Sequence, residues 1–118
     1  MIESICVTNY LSIKERMEFS FVSSREKEKF EDKTTWYEQS GDKKLSKLLF
    51  MLGNNAVGKT NFINAVRTMR NLVISKPTER DTPLEYMPFM LDVELREKPT
   101  VFDVVFIIDE KRYLYSIA

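Results

Sequence analysis

Apolar and polar positions alternate along 2-IESICVT-8, with Ile2, Ser4 and Cys6 toward one face and Ile5 and Val7 toward the other. Apolar residues fall on both sides, which predicts a strand buried to some degree on each. After a turn-prone Asn9, the segment 17-MEFSFVS-23 alternates with Met17, Phe19 and Phe21 together. It reads as a half-buried strand, close enough to the first to form an antiparallel pair. The wholly apolar run 48-LLFML-52 ends directly on Gly53, a pattern that suits a strand covered on both faces, as in a parallel sheet. Beyond it Phe62, Ile63, Val66, Met69, Leu72 and Val73 recur at helical spacing, with Arg67, Arg70 and Asn71 between them. This predicts a helix from Lys59 to Ser75 with an apolar stripe for the sheet. Pro77 makes a natural stop, and 75–88 reads as loop. The stretches 89-FMLDVELRE-97, 101-VFDVVFIID-109 and 112-RYLYSIA-118 are strand-like, the last two separated by a turn of hairpin length.

Residues 24–47 break this pattern. In 25-REKEKFEDK-33 Phe30 is the one uncharged residue, and mixed signs point to a solvated helix or loop. Trp36 and Tyr37 suit a loop anchored to the core, with base stacking as the rarer alternative, and Gly41-Asp42 reads as a turn. Lys plus Arg and Asp plus Glu both number 18, so the formal net charge is zero. That balance argues against a strong nucleic-acid or membrane footprint, while leaving room for a local basic face. At 118 residues the chain makes one domain at most. Its single cysteine, Cys6, reads as a buried small hydrophobe, and the absence of histidine removes His-based catalysis. No apolar run approaches the roughly 20 residues of a membrane span and no signal-peptide pattern opens the chain, so the expected location is cytoplasmic.

The chemistry concentrates in 53-GNNAVGKTN-61. Gly53, Gly58, Lys59 and Thr60 satisfy G-x-x-x-x-G-K-[ST] without exception. The glycines let the backbone curl so that successive N–H groups point into one anion-sized hollow. The following helix adds unpaired N-terminal donors and the positive end of its dipole. Lys59 is expected to reach the β- and γ-phosphates and the Thr60 hydroxyl to hold Mg²⁺. Asn54 and Asn55 enter left-handed conformations more easily than most residues, and Ala56, Val57 and Asn61 complete the expected nucleotide-binding set. Four such positions match by chance in roughly one chain of this length in a few hundred, and the flanking strand and helix tighten the signal. The segment is therefore expected to hold a nucleoside triphosphate with its Mg²⁺.

A second stretch, 104-VVFIIDE-110, has the form of a Walker B strand. Asp109 would then be a metal ligand and Glu110 a catalytic base. The competing reading makes Asp109 and Glu110 the turn of a β-hairpin. Three features favour it: Phe102, Val104, Phe106 and Ile108 share a face, strand-like alternation resumes after Lys111, and Asp-Glu-Lys is a serviceable turn.

Taken together, 9-NYLSIKERMEFSFV-22, 53-GNNAVGKTNFINAV-66 and 88–118 resemble the N-terminal part of an ABC-type "AAA-domain" ATPase, in the branch of RecF, the SMC/Rad50 heads and the OLD nucleases. Asn9, Tyr10 and Ser12 fit the branch's Asn-aromatic-x-Ser-aromatic motif, with Ile13 in the last aromatic place. Asn55, Gly58, Lys59, Thr60 and Asn61 fit its G-x-N-x-x-G-K-[ST]-N loop, and Tyr113 and Tyr115 its Tyr-x-Tyr strand. Leu11 stands where these proteins often carry an arginine. The resemblance implies a mixed α/β P-loop lobe, with a parallel-type strand–loop–helix unit, an antiparallel β-subdomain over 88–118 and a polar insertion at 24–47. It also implies ATP hydrolysis across a homodimer of heads, in DNA repair or phage defence, beside a nuclease or other effector, with DNA a further possible partner. The family's signature sequence, a convincing Walker B strand and a switch histidine are missing, so these residues read as one end of a longer ATPase, inactive alone. Two alternatives stand beside this: an ATP-gated interaction module without turnover, and a minimal ATPase using Asp109 and Glu110.

Overall fold

The computed structural model of the chain describes residues 1–23, 37–40, 43–54, 58–74 and 87–118. Within them run β1 (Ile2–Thr8), β2 (Met17–Ser20), β3 (Tyr37–Ser40), β4 (Lys43–Ser46), α1 (Lys59–Ile74), β5 (Val101–Ile108) and β6 (Lys111–Ile117), with one 3₁₀ turn at Leu95–Glu97. The arrangement is mixed α/β. A four-stranded sheet in the order β2-β1-β5-β6 is antiparallel throughout, and β3 pairs with β4 in a separate antiparallel ribbon.

β1 is central and buried on both faces, with Ile5 and Val7 on one and Cys6 on the other. Ile5 lies opposite Phe19 on one side and Val104 on the other, and Val7 lies opposite Met17 and Phe102. Residues directly opposite share a face, so these six side chains make one apolar surface. α1 lays Phe62, Ala65 and Met69 on it, a spacing of three and four that keeps them on one stripe. The Phe62 ring sits 3.7 Å from that of Phe19, and Tyr10 meets Phe102 edge-on at 5.6 Å. Each such side chain taken out of water contributes about 1.5–3 kcal/mol. The stripe is narrower than its periodicity predicts: Ile63, about 100° round from Phe62, is 63% exposed, and Val73 in the last turn is 54% exposed. On the opposite face of the sheet Cys6 is buried, as expected, and burial pushes its thiol pKa up.

A bulge between Ile2 and Ser4 frees Glu3 from the ladder with β5. Its carboxylate accepts from Lys43 Nζ at 2.8 Å and from Arg112 Nε and NH2 at 3.0 and 3.2 Å. The Arg112 guanidinium is the leading reason that Glu3 is held below the usual carboxylate range. This one side chain ties β4 and the edge strand β6 to the centre of the sheet. The β3–β4 ribbon, absent from the sequence reading, continues off β2 through Ser46 N–H to Phe21 C=O and Ser23 N–H to Lys44 C=O, both 2.8 Å, with Leu45 fully buried. The charged run at 24–36, with Trp36, the Gly41-Asp42 turn and the loop at 75–86 lie outside the described residues.

Two expected strands are not formed. Residues 48–52 carry no ladder, and Phe50 and Leu52 are 77% and 90% exposed. A doubly buried strand needs a neighbour on each edge, and no described strand runs beside this one. Residues 89–97 are turns ending in the 3₁₀ helix, because side chains take up their backbone groups. Asn9 Nδ2 donates to the carbonyls of Leu95, Lys98 and Pro99, and its Oδ1 accepts from Phe89 N–H at 2.9 Å. Asp92 Oδ1 accepts from Glu94 N–H, and Arg96 Nε donates to Met90 C=O. No helix among the described residues is long and apolar enough to cross a membrane.

Candidate functional site

The start of α1 presents backbone donors with no acidic residue beside them. Gly58 C=O accepts the helix's first bond, from Phe62 N–H at 2.9 Å. That geometry leaves the first-turn N–H groups of Lys59, Thr60 and Asn61 without partners inside the helix. The first turn contains no acidic residue, and from Lys59 to Ile74 the helix carries Lys59, Arg67 and Arg70 with no Asp or Glu at all. Nothing in the helix itself offsets the positive end of its dipole.

Gly58 holds φ at +86°, a left-handed value that favours glycine. A Cβ placed there would also lie 3.3 Å from Ser12 Oγ. The φ favours glycine at this bend, and a side chain there would also need Ser12 Oγ to give by a few tenths of an ångström. Lys59 folds back along the loop, its Nζ donating to the carbonyls of Gly53 and Asn54. This ties the helix start to the first two loop residues and leaves the third ammonium N–H for another acceptor. Thr60 is exposed and Asn61 half-buried, with Asn61 Nδ2 donating to Ser12 Oγ at 2.7 Å. Asn55, Ala56 and Val57 lie outside the described residues.

The fit to a magnesium-bound polyphosphate can be tested on these groups. A free ammonium N–H, three first-turn amides and an acid-free helix suit phosphate oxygens. Thr60 offers one protein oxygen for a metal that keeps most of its shell from water and phosphate.

The turn between β1 and β2 underlies this site. Tyr10 and Ile13 exchange backbone hydrogen bonds, and Asn9 and Leu11 both take positive φ, 54° and 49°. Tyr10 OH bonds Thr68 Oγ1 at 3.0 Å, pinning the turn to the middle of α1. Leu11 N–H donates to Met87 C=O at 2.8 Å. Between this turn and α1 opens a groove of about 270 Å³, lined in part by Leu11, Asn64, Arg67 and Met87. Sequence reasoning missed the groove and the Ser12–Asn61 bond. Both join residues about fifty or more positions apart, which no local pattern marks.

Asp109 and Glu110 stand elsewhere. They are the two central residues of the β5–β6 turn, with φ of 48° and 61°, flanked by the Ile108–Lys111 pair. Positive φ at both positions is the type I′ geometry that matches the twist of a tight hairpin. β5 begins at Val101, opposite Thr8 and beside the 9–13 turn, and runs away from it. At 3.3 Å per residue the turn lies on the order of 25 Å from that end. The structure therefore does not bring Asp109 or Glu110 to Lys59 and Thr60.

No family model, curated protein or solved structure matches this chain.

Proposed function

We propose that this chain binds Mg·ATP through residues 53–61, as the nucleotide-binding lobe of an ABC-type ATPase. The observation that carries this reading is the set at the start of α1: left-handed Gly58, Lys59 folded over the Gly53–Asn54 carbonyls, and an acid-free helix behind them. The sequence resemblance supplies the rest of the proposal. In it, two heads close on ATP, turnover occurs in the closed pair, and the work is DNA repair or phage defence beside an effector subunit.

Hydrolysis requires a carboxylate or equivalent group to order the attacking water and complete the metal shell. Asp109 and Glu110 face the other end of the sheet, so that group would have to come from another segment or subunit. The same placement favours a second reading, in which nucleotide binding alone switches an interaction surface. Titration calorimetry with Mg·ATP separates the outcomes. The chain binds, and Lys59→Ala weakens binding on the order of 100-fold, the worth of a charge-assisted contact to phosphate. Binding indifferent to Lys59→Ala would remove the proposal. Turnover by the chain alone, abolished by Glu110→Gln, would restore the minimal-ATPase alternative.

A further inference from the structure

The geometry points to Ser12 and Asn61 as positioning residues for the phosphate-binding loop, an inference that rests on the nucleotide reading above. Three observations converge on them. Asn61 Nδ2 donates to Ser12 Oγ at 2.7 Å, joining the first turn of α1 to the β1–β2 turn. The same oxygen lies 3.3 Å from where a Cβ on Gly58 would stand. Gly58 is also the residue whose left-handed φ turns the chain from loop into helix.

Ser12 Oγ thus stands close to that bend, where it limits how far the bend can shift, and Asn61 is the tether that keeps it there. The turn that carries Ser12 is itself rigidly mounted. Tyr10 and Ile13 close the turn with two backbone bonds, Tyr10 OH reaches Thr68, and Asn9 is anchored to residues 89–99. A loop that binds phosphate through main-chain N–H groups gains affinity only if those groups already point inward before the ligand arrives. An exposed loop holds that shape only through a contact to something firmer. In this chain the Ser12 hydroxyl, held by Asn61, supplies such a contact beside Gly58, next to the Lys59 bonds to the loop carbonyls. The arrangement assigns Asn61 a task that its place after the threonine does not reveal: its side chain is bonded to the β1–β2 turn.

The test uses the whole chain with Ser12→Ala, Asn61→Ala, the pair together, and Gly58→Ala with and without Ser12→Ala. Mg·ATP affinity, melting temperature and, without nucleotide, amide hydrogen exchange at 58–62 are measured for each. Each single change at Ser12 or Asn61 weakens Mg·ATP roughly three- to tenfold, the range of one neutral hydrogen bond. The pair together is no worse than either, and melting shifts by less than about 2 °C, well under the roughly 4–8 °C of a 1 kcal/mol loss of stability. Exchange at 58–62 accelerates in both. Ser12→Ala also recovers part of the affinity lost in Gly58→Ala, because it removes the atom that a new Cβ would crowd.

Wild-type affinity and exchange in Ser12→Ala would overturn the assignment. So would affinity falling only in proportion to melting temperature, which is loss of fold rather than of loop shape. If the wild-type chain ignores Mg·ATP while Ser12→Ala still accelerates exchange at 58–62, the positioning stands and the nucleotide reading fails. If neither occurs, both fail.

Discussion

The two ends of the central sheet carry stretches that look alike as motifs and differ in everything around them. At one end, Gly58, Lys59 and Thr60 open a helix against the β1–β2 turn, and the surroundings offer donors: first-turn amides, an ammonium and no carboxylate in α1. At the other, Asp109 and Glu110 end a run of apolar residues in a two-residue turn. Their left-handed backbone makes a tight hairpin. The lesson is that an apolar strand ending in acids carries chemistry only when the strand's end faces a site. Here the antiparallel order of the sheet turns it away.

The largest test of the contrast is Asn9→Ala. Asn9 is 1% exposed, bonds three carbonyls and one N–H of residues 89–99, and sits at φ 54°. Leaving those groups unpaired and putting alanine in a left-handed bend costs about 3 kcal/mol. A fall in melting temperature of roughly 10 °C or more is expected, with Mg·ATP binding lost below the new transition as the 9–13 turn loosens. An unchanged melting curve would mean that this end is not held by its turn.

Next is the direct comparison of motifs. Lys59→Ala reduces Mg·ATP affinity on the order of 100-fold, whereas Glu110→Gln leaves it within twofold or so of wild type. Equal effects would erase the distinction between the two ends. A smaller change sharpens it from the other side. Replacing Asp109-Glu110 by Asn-Gly suits a turn with positive φ at both central positions, and should stabilise the chain by about 1 kcal/mol without touching nucleotide affinity. Thermal melting and calorimetry check the two halves.

The smallest effect is in acid. Glu3 is held below its ordinary pKa, chiefly by Arg112 and also by Lys43. Its contribution is complete above the unfolded carboxylate value of about 4.3 and fades as pH falls through the folded value. Glu3→Gln should therefore flatten the decline of stability below about pH 5, costing about 1 kcal/mol at neutral pH. Denaturant melts at several pH values would expose a slope identical to wild type.

Much of this was legible in order along the chain. The strand at 2–8, its antiparallel partner from Met17, the helix from Lys59 and the hairpin at 109–110 follow from periods of two and 3.6 and from turn chemistry, which are local properties. The loop's glycines and lysine were legible for the same reason. Residues 48–52 and 89–97 show where local pattern fails. The first is apolar enough to be doubly buried yet has no partner edge, and the second alternates like a strand while Asn9 draws off its backbone groups. Neither fact is written in those residues.

By itself the sequence determined β1, the strand from Met17, α1 and the hairpin at 109–110, because backbone sterics and hydrophobic period act over a few neighbours. The tertiary structure alone decided that Ser12 would stand beneath Gly58, that Glu3 would meet Lys43 and Arg112, and that Asp109 and Glu110 would point away from Lys59. Those are relations between residues 40 or more positions apart, and they are set only once strand order and direction are chosen.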